Sequence, residues 1–444
     1  ICIFQTIFKK KYHDLNVTYY IIKMLLWLLQ RILKVTIRYL IFLVVILNIF
    51  VYLWCWTKSD NIILEKHSYI PTVMWWTEGL RIFSDTRYCP NNIKCKVYAL
   101  NNITKHLNVH GYLFCGSYLN FSNVPLPRRS ADIVWALYHE ESPRNVEELM
   151  HESALKLFNY SSTYSRYSDV PFPLQHLISF DDITSEKYFI NTAEKNEYLK
   201  KIAPILYLQS DCETSTERDA YVLELMKIIK IDSYGSCLNN QELPETFSND
   251  YLNSLNEDGF LKFVAKYKFV IAIENGVCDD YVTEKFWRAI KVGTVPIYFG
   301  SPLIRDWLPN EKSAILLEDF PTPTILRNHI NKLLINDDLY EEYLEHKTKG
   351  IVTNSKLINE FHERPYQIDF LETLDKFECF VCNKIHDKLN GKSDISIMSK
   401  NHYNCPKPLS ALQLDVNPKN NWVLSWEQSK DKADELYNNI MNNV

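Results

Sequence analysis

One stretch of the chain, residues 267–302, constrains the fold more than any other. It opens with a short apolar and β-branched run at 269–273, which is typical of a buried strand. Acidic and hydroxyl residues then supply helix-start chemistry, and helical spacing of apolar residues follows over 284–291. Gly293 suits the position after a helix, and 295–299 forms a second apolar run. Strand, helix and strand in this order form a βαβ unit, which predicts a parallel sheet in an α/β fold.

Polar residues follow the first strand of this unit, at the edge where parallel sheets bind phosphorylated ligands. Asn275 lies on that edge, and Tyr281 offers a ring and a hydroxyl. Glu284 can accept hydrogen bonds from ribose hydroxyls, and Lys285 is a cation suited to a diphosphate. The spacing alone is explained at least as well by an ordinary helix cap whose charges are solvated.

A second constellation runs from His139 to Asn145, reads HEESPRN, and follows an apolar run, so we expect it at the mouth of a strand. Glu140 and Glu141 are paired carboxylates, an arrangement in which the pKa of one member is raised. Arg218 lies at the predicted start of a helix on the ligand edge of the sheet, where its guanidinium fork can bind two phosphate oxygens. Solvated loop charges are the simpler alternative for both features.

The segment ENGVCDDYVTEKFW, followed by GTVPIYFGSP, resembles the signature of glycosyltransferase family ten, the α-1,3/4-fucosyltransferases. The shared pattern is E-N, then D-Y-[VI]-T-E-K, then a V-P-[VI] strand and G-x-P. The resemblance implies the glycosyltransferase B architecture, with two facing Rossmann-like α/β domains and the nucleotide in the second. It also implies GDP-fucose as the donor substrate. The donor-binding residues expected on this basis are Arg218, Asn275, Tyr281, Glu284 and Lys285.

The same family carries an E-S-P motif whose Glu is the general base. Glu141 matches it because it directly precedes Ser-Pro, and Glu140 is one residue away. The stretch FNYSSTYSRYSD, residues 158–169, resembles another family stretch and implies that Arg166 contacts the acceptor or the other domain. The adjacent acids at 279–280 lack the D-x-D spacing of metal-dependent glycosyltransferases. We therefore expect no metal site and no required cofactor.

Several stretches, among them HEESPRN, YLQSDC and FECFVC, are closest to the fucosyltransferase ten and eleven branch of this family. The resemblance covers about residues 71–383 and implies an inverting fucosyltransferase with a glycan or glycoprotein acceptor. The main expectation is α-(1,3)-fucosyltransferase activity in protein glycosylation. The first alternative is a protein O-fucosyltransferase, because the branch is also described as transferring O-fucose to Ser or Thr of folded EMI modules. A non-catalytic lumenal binding protein and a transferase for another nucleotide sugar are further alternatives.

An apolar segment at 39–56 comes close to the thickness of a bilayer core. Basic residues precede it and few follow, so the positive-inside rule places 1–38 in the cytosol and the bulk of the chain in the lumen. Residues 1–23 precede the first Met and are set aside as a candidate upstream extension. A cleaved signal peptide is the alternative, but no small-residue cleavage site follows. We expect a single-pass type II protein of the Golgi or endoplasmic reticulum membrane, with a lumenal catalytic part.

The lumenal part divides by pattern into four sections, and its length is enough for two core-bearing domains. The net charge of −5 and the lack of a basic run beyond the N-terminal segment give no indication of a nucleic-acid partner. The predicted sections are a stem at 57–70, an acceptor-side α/β domain at 71–200, a GDP-fucose-binding α/β domain at 201–360, and a cysteine-containing segment at 361–444.

Most of the eleven cysteines follow the membrane segment, as expected of a chain in an oxidising lumen. Their spacing predicts local disulfides, Cys89 with Cys95, and the pair Cys379 and Cys382 with Cys405, and the odd count leaves a thiol over. A zinc site that uses the last three thiols and a nearby His is the alternative. Sequons, which accept glycans in a lumen, occur at Asn102, Asn120 and Asn159.

Overall fold

The computed structural model of the protein describes residues 2–67, 70–78, 80, 84–100, 108–128, 133–244, 247, 255–392 and 396–442. The N-terminal part is one long helix, α1 (Cys2–His67). Within it, Ile21–Trp54 is long and apolar enough to cross a membrane, and the predicted segment 39–56 overlaps this range. A helix of this length and composition near the N-terminus fits a membrane anchor or a signal sequence.

From Pro71 onward the chain forms a separate unit built on two sheets. The strands of the first sheet are β1 (Thr72–Trp75), β2 (Asp85–Cys89), β3 (Ile93–Tyr98), β4 (Gly111–Cys115), β5 (Val134–His139) and β6 (Tyr160–Thr163). Their order is β2-β3-β1-β4-β5-β6, and every neighbouring pair is parallel except β2 with β3. β5 is buried along its whole length, as expected of a parallel strand covered on both faces.

The second sheet is parallel throughout, in the order β11-β10-β9-β7-β8. Its strands are β7 (Ile205–Leu208), β8 (Ile231–Tyr234), β9 (Phe269–Ile273), β10 (Val295–Phe299) and β11 (Ile315–Leu316). The strands predicted at 269–273 and 295–299 are therefore confirmed. Two α/β halves, each built on a largely or wholly parallel sheet, agree with the glycosyltransferase B type of fold.

Helices connect and cover the strands of both sheets. They are α2 (Glu152–Leu155), α3 (Asp181–Thr184), α4 (Thr192–Tyr198), α5 (Arg218–Met226), α6 (Asp258–Val264), α7 (Glu284–Val292), α8 (Pro323–Ile335), α9 (Asp337–Glu341), α10 (Glu345–Thr348), α11 (Ser355–Glu363), α12 (Phe370–Leu389) and α13 (Asn421–Asn442).

The helix α7 joins β9 to β10 and completes the βαβ unit that the sequence predicts. Thr283 caps its start, because the threonine hydroxyl accepts a hydrogen bond from the Lys285 backbone amide at 3.4 Å. Gly293 ends it in the left-handed conformation, with φ at 68°, which a residue without Cβ adopts at little cost. Phe286 and Ile290 lie on the apolar face of α7 and are buried in the core. This unit fixes the loop between β9 and α7.

The C-terminal helices return to the first sheet. Leu374, Phe377 and Val381 of α12 and Ile440 of α13 belong to the same buried core as the strands β1, β4 and β5. Glu378 of α12 also accepts a hydrogen bond from the buried Trp75 indole at 2.8 Å. Part of 361–444 therefore packs with the first sheet, and the predicted domain boundaries stay predictions.

Two disulfides attach α12 to the first sheet, and they differ from the predicted local pairs. Cys89 of β2 pairs with Cys379, and Cys95 of β3 pairs with Cys382. The prediction was wrong because it used closeness in sequence, whereas these partners are 290 and 287 residues apart and meet only in the folded chain. Either bond alone joins residues 290 or 287 positions apart, and on a chain-entropy estimate it destabilises the unfolded chain by about 6 kcal/mol.

Two further disulfides involve cysteines that follow strands of the second sheet. Cys212 pairs with Cys237, and Cys278 pairs with Cys405. With Cys405 paired, all three thiols of the zinc alternative are held in disulfides, so that ligand set does not form. Cys115 is the free cysteine among the described side chains, and it is buried.

Candidate active site

The carboxyl ends of β5 and β9 meet between the two sheets. Glu141, just after β5, accepts a hydrogen bond on Oε1 from the Asn275 side-chain amide at 3.2 Å. The Tyr281 hydroxyl donates to the same oxygen, and the Ser142 backbone amide does so at 2.7 Å. Glu141 follows a strand of the first sheet, whereas Asn275 and Tyr281 follow a strand of the second. Residues predicted separately from two motifs therefore lie in one site.

The protonation of Glu141 depends on two opposing effects. Burial acts to raise its pKa, but hydrogen bonds from Tyr281, Ser142 and Asn275 and the charge of Lys285 outweigh burial, so the pKa lies below the ordinary value. All three hydrogen bonds end on Oε1, and none made within the described part of the chain reaches Oε2. An ionised carboxylate with one uncommitted oxygen can accept a proton from an alcohol.

The neighbouring carboxylate Glu140 lies in different surroundings. Its Oε1 accepts a hydrogen bond from the Ser117 hydroxyl at 2.9 Å, and its Oε2 lies 4.0 Å from the Cys115 sulfur. Burial raises the pKa of Glu140. His139 is fully buried, bonds to the Tyr403 hydroxyl at 2.7 Å, and has its pKa lowered by burial to about 4. The structure therefore separates the two carboxylates and leaves Glu141 as the one that faces the second sheet.

The start of α7 presents a cation beside β9. Lys285 Nζ lies 3.1 Å from Glu284 Oε1 and 3.6 Å from Glu274 Oε2. Glu274 is buried and accepts from the Thr283 amide and hydroxyl, both at 2.8 Å. Burial raises the pKa of Glu274 to about 7, while Lys285 and other cations lower the pKa of Glu284 against the effect of burial. The two carboxylates in turn raise the pKa of Lys285 against burial, so its charge is retained.

Arg218 brings a second cation to the same edge of the sheet. It is 1% exposed, and its Nη1 donates to the Ile273 carbonyl oxygen at 3.3 Å. Its Nη2 donates to the Asp211 carbonyl oxygen. The charge of Arg218 acts on Lys285, where it opposes the rise in pKa. Two positive groups at the carboxyl ends of the strands favour an anionic ligand there.

Arg166 contacts acids that follow two strands of the second sheet. Its Nη2 lies 2.6 Å from Asp280 Oδ1, and its Nη1 lies 2.8 Å from Asp306 Oδ2. Trp307 Nε1 also donates to Asp280 at 3.1 Å, and Asp280 has a left-handed backbone with φ at 61°. These contacts favour the interdomain role of Arg166 over acceptor binding. They also hold the residue directly before Tyr281.

The three predicted glycosylation sites have different outcomes. Asn120 is exposed on the surface. Asn159 is 4% exposed, accepts from the Trp135 amide at 2.9 Å and donates from Nδ2 to the Ser396 carbonyl oxygen at 3.0 Å. The structure argues against the predicted glycan at Asn159, because the nitrogen that would carry it is buried and hydrogen-bonded. Asn102 lies outside the described residues.

Reasoning from the sequence missed the role of Glu274. The E-N pair after β9 is visible in the sequence, but only its Asn was given a function. Glu274 supports the capping Thr283 and lies beside Lys285, so it positions the start of α7. A charged residue at the end of an otherwise apolar strand was the available signal, since such a side chain is seldom buried without partners.

Residues 198–400 match the family model for glycosyltransferase family 10 (fucosyltransferase) C-term. A Canis lupus familiaris protein named GDP-fucose protein O-fucosyltransferase 3 is 39% identical over 391 residues, which are 84% of this chain and 80% of the relative. The Homo sapiens protein of that name is 38% identical over 392 residues, with the same coverage. A crystal structure of an alpha1,3-fucosyltransferase aligns with a TM-score of 0.42 and 16% identity over 69% of this chain and 93% of that one.

Proposed function

The chain belongs to glycosyltransferase family 10, and we propose that it is a protein O-fucosyltransferase that moves L-fucose from GDP-β-L-fucose to a Ser or Thr hydroxyl. The observation that carries the proposal is the environment of Glu141, whose Oε1 accepts three hydrogen bonds while Oε2 accepts none from the described residues. The name of the relatives supports a protein acceptor better than the α-(1,3) linkage that the sequence led us to expect. The acceptor alternative therefore replaces the main expectation.

The reaction is a direct displacement at C1 of fucose. The acceptor oxygen forms its bond to C1 while the bond from C1 to the diphosphate breaks, which inverts the configuration at that carbon. The acceptor proton passes to Glu141 Oε2, and GDP leaves with the electron pair of the broken bond. A positioned carboxylate base contributes roughly 10²–10⁴-fold to the rate of such a step. Asn275 and Tyr281 hold the carboxylate in place through Oε1.

The departing GDP gains negative charge, and cations must stabilise it. Arg218 and Lys285 lie at the carboxyl end of β9, where they can bind the diphosphate. A hydrogen bond between charged groups contributes about 1.5–3 kcal/mol. Glu284 is ionised and next to Lys285, and it can accept from the ribose hydroxyls. This set of residues needs no further group for the displacement to balance.

We also propose a lumenal location for the catalytic part, in the endoplasmic reticulum or Golgi. The apolar range Ile21–Trp54 of α1 and the excess of basic residues before 39–56 support this location. Four disulfides agree with an oxidising compartment. A folded, secreted module such as an EMI module is the acceptor that fits this location.

The test uses the full chain, purified in detergent, with GDP-fucose labelled in the fucose and a folded EMI module. The proposal predicts that the module becomes labelled and that β-elimination releases the label, since that treatment cleaves sugars linked to Ser or Thr. Glu141→Gln serves as the control and should bind GDP without transferring fucose. Intact GDP-fucose with bound nucleotide would instead support the non-catalytic binding protein.

A further inference from the structure

An ion cluster joins the two halves of the site near Glu141. Arg144 follows β5 in the same turn as Glu141, and its Nη2 bonds to Asp211 Oδ2 in the loop after β7. Arg218 Nη2 lies 3.6 Å from that same oxygen. A half-exposed carboxylate thus lies between two guanidinium groups, one from each sheet. The side chains of Arg144 and Arg218 are 16% and 1% exposed, against 51% for Asp211.

The two arginines have more donor capacity than the described residues use. A guanidinium carries five N–H donors. The Nε atoms of Arg144 and Arg218 are both buried, and neither has a hydrogen-bond partner among the described residues. A buried donor of a charged group costs free energy when it has no hydrogen-bond partner. The two unpaired Nε atoms therefore point to a ligand that accepts hydrogen bonds from these arginines when it binds. Arg144 is also held in place by its position 5.3 Å above the Trp422 ring.

We propose that the carboxylate of Asp211 lies where the donor diphosphate binds, and that Arg144, which follows β5 of the first sheet, is a diphosphate-binding residue. The inference rests on the proposed function, because it takes GDP-fucose as the ligand. A carboxylate and a phosphate present the same pair of oxygens to a guanidinium fork. When the donor binds, the carboxylate of Asp211 moves into solvent and the phosphates bridge Arg144 and Arg218. Asp211 therefore competes with the donor and lowers its affinity.

This arrangement predicts effects of opposite sign for two partners of one ion pair. Asp211→Asn removes the competing charge and should tighten GDP binding, roughly threefold to tenfold. Arg144→Met removes a charge-assisted contact and should weaken GDP binding roughly tenfold or more. Both effects depend on the phosphates of GDP. Guanosine should therefore bind the unaltered protein, Asp211→Asn and Arg144→Met with equal affinity. If the Arg144–Asp211 ion pair only joins the two halves, both variants should change GDP affinity in the same direction, because either substitution breaks the pair.

The measurement is calorimetric titration of the full chain with GDP, with guanosine as the matched ligand. Glu213→Gln, an exposed acid in the same loop, controls for net charge and should leave both affinities unchanged. Weaker GDP binding by Asp211→Asn, or an unchanged affinity in Arg144→Met, overturns the inference. Should Asp211→Asn lower the melting temperature, Arg144→Met and Arg144→Lys still decide it, since Lys restores the charge and should recover part of the affinity. Failure of the unaltered protein to bind GDP would instead overturn the proposed function.

Discussion

Removing the Tyr281 hydroxyl should change the pH at which the enzyme loses activity. In the structure this hydroxyl donates to Glu141 Oε1, together with Asn275 and the Ser142 amide, and these bonds hold the pKa of Glu141 below its ordinary value. A hydrogen bond to a charged group contributes about 1.5–3 kcal/mol. One pKa unit corresponds to about 1.36 kcal/mol, so Tyr281→Phe should raise the pKa of Glu141 by about one to two units.

The direction of the expected shift in the pH profile follows from the protonation state in which Glu141 is active. The base works when ionised, so activity falls as the pH drops through the pKa of Glu141. In the unaltered protein that pKa is depressed, so activity should persist as the pH falls below the ordinary pKa of a glutamate. In Tyr281→Phe the effect of burial is opposed by fewer hydrogen bonds, so the acidic limb of the kcat/KM profile should move up by about one to two pH units.

The assay is the pH dependence of kcat/KM for fucose transfer, with the melting temperature of each variant measured in parallel as a check on folding. Tyr164→Phe is the matched control. Its ring centroid lies 4.9 Å from that of Tyr281, but its hydroxyl lies 3.7 Å from the Cys405 sulfur and makes no bond to Glu141. An acidic limb that stays in place in Tyr281→Phe, or that moves equally in Tyr164→Phe, would refute the assignment of Glu141 as the base.

The remaining predictions concern the base, the donor and the surface. Glu141→Gln should keep its affinity for GDP-fucose but lose turnover by roughly 10²-fold or more, whereas Glu140→Gln should keep more activity; the reverse result in steady-state kinetics would make Glu140 the base. Lys285→Ala should weaken GDP binding roughly tenfold or more, as measured by calorimetry. An unchanged affinity would show that Lys285 does not bind the diphosphate. Mass spectrometry of protein from a eukaryotic host should find a glycan on Asn120 and none on Asn159, whose amide is buried; a glycan on Asn159 contradicts its placement.

The second sheet was predictable from sequence because its strands are short, apolar and bounded by clear turn and helix signals. The run at 269–273 matches β9, and 295–299 matches β10. Gly293 ends α7 as its position indicated. A strand buried on both faces reads as a continuous apolar run, and this is the pattern that sequence reasoning detects most directly.

Features that depend on contacts between distant residues were not predictable in this way. The partners of Cys89 and Cys95 lie 290 and 287 residues further along the chain, and only the packing of α12 against β2 and β3 brings them together. Asn159 has the sequence of a glycan acceptor, but its side chain bonds to Ser396 in a segment far along the chain. The pairing of Arg144 with Asp211 likewise joins two loops that local patterns treat as separate solvated turns.

A competition between two acceptors decides whether this chain is a protein O-fucosyltransferase. The full chain in detergent receives labelled GDP-fucose with equal concentrations of a folded EMI module and an N-acetyllactosamine glycan, and the label on each acceptor is counted over time. A protein O-fucosyltransferase should put most of the label on the module, in a form that β-elimination releases, and little on the glycan. Glu141→Gln should label neither acceptor. Label on the glycan alone would contradict a protein acceptor, and transfer undiminished in Glu141→Gln would contradict the catalytic site.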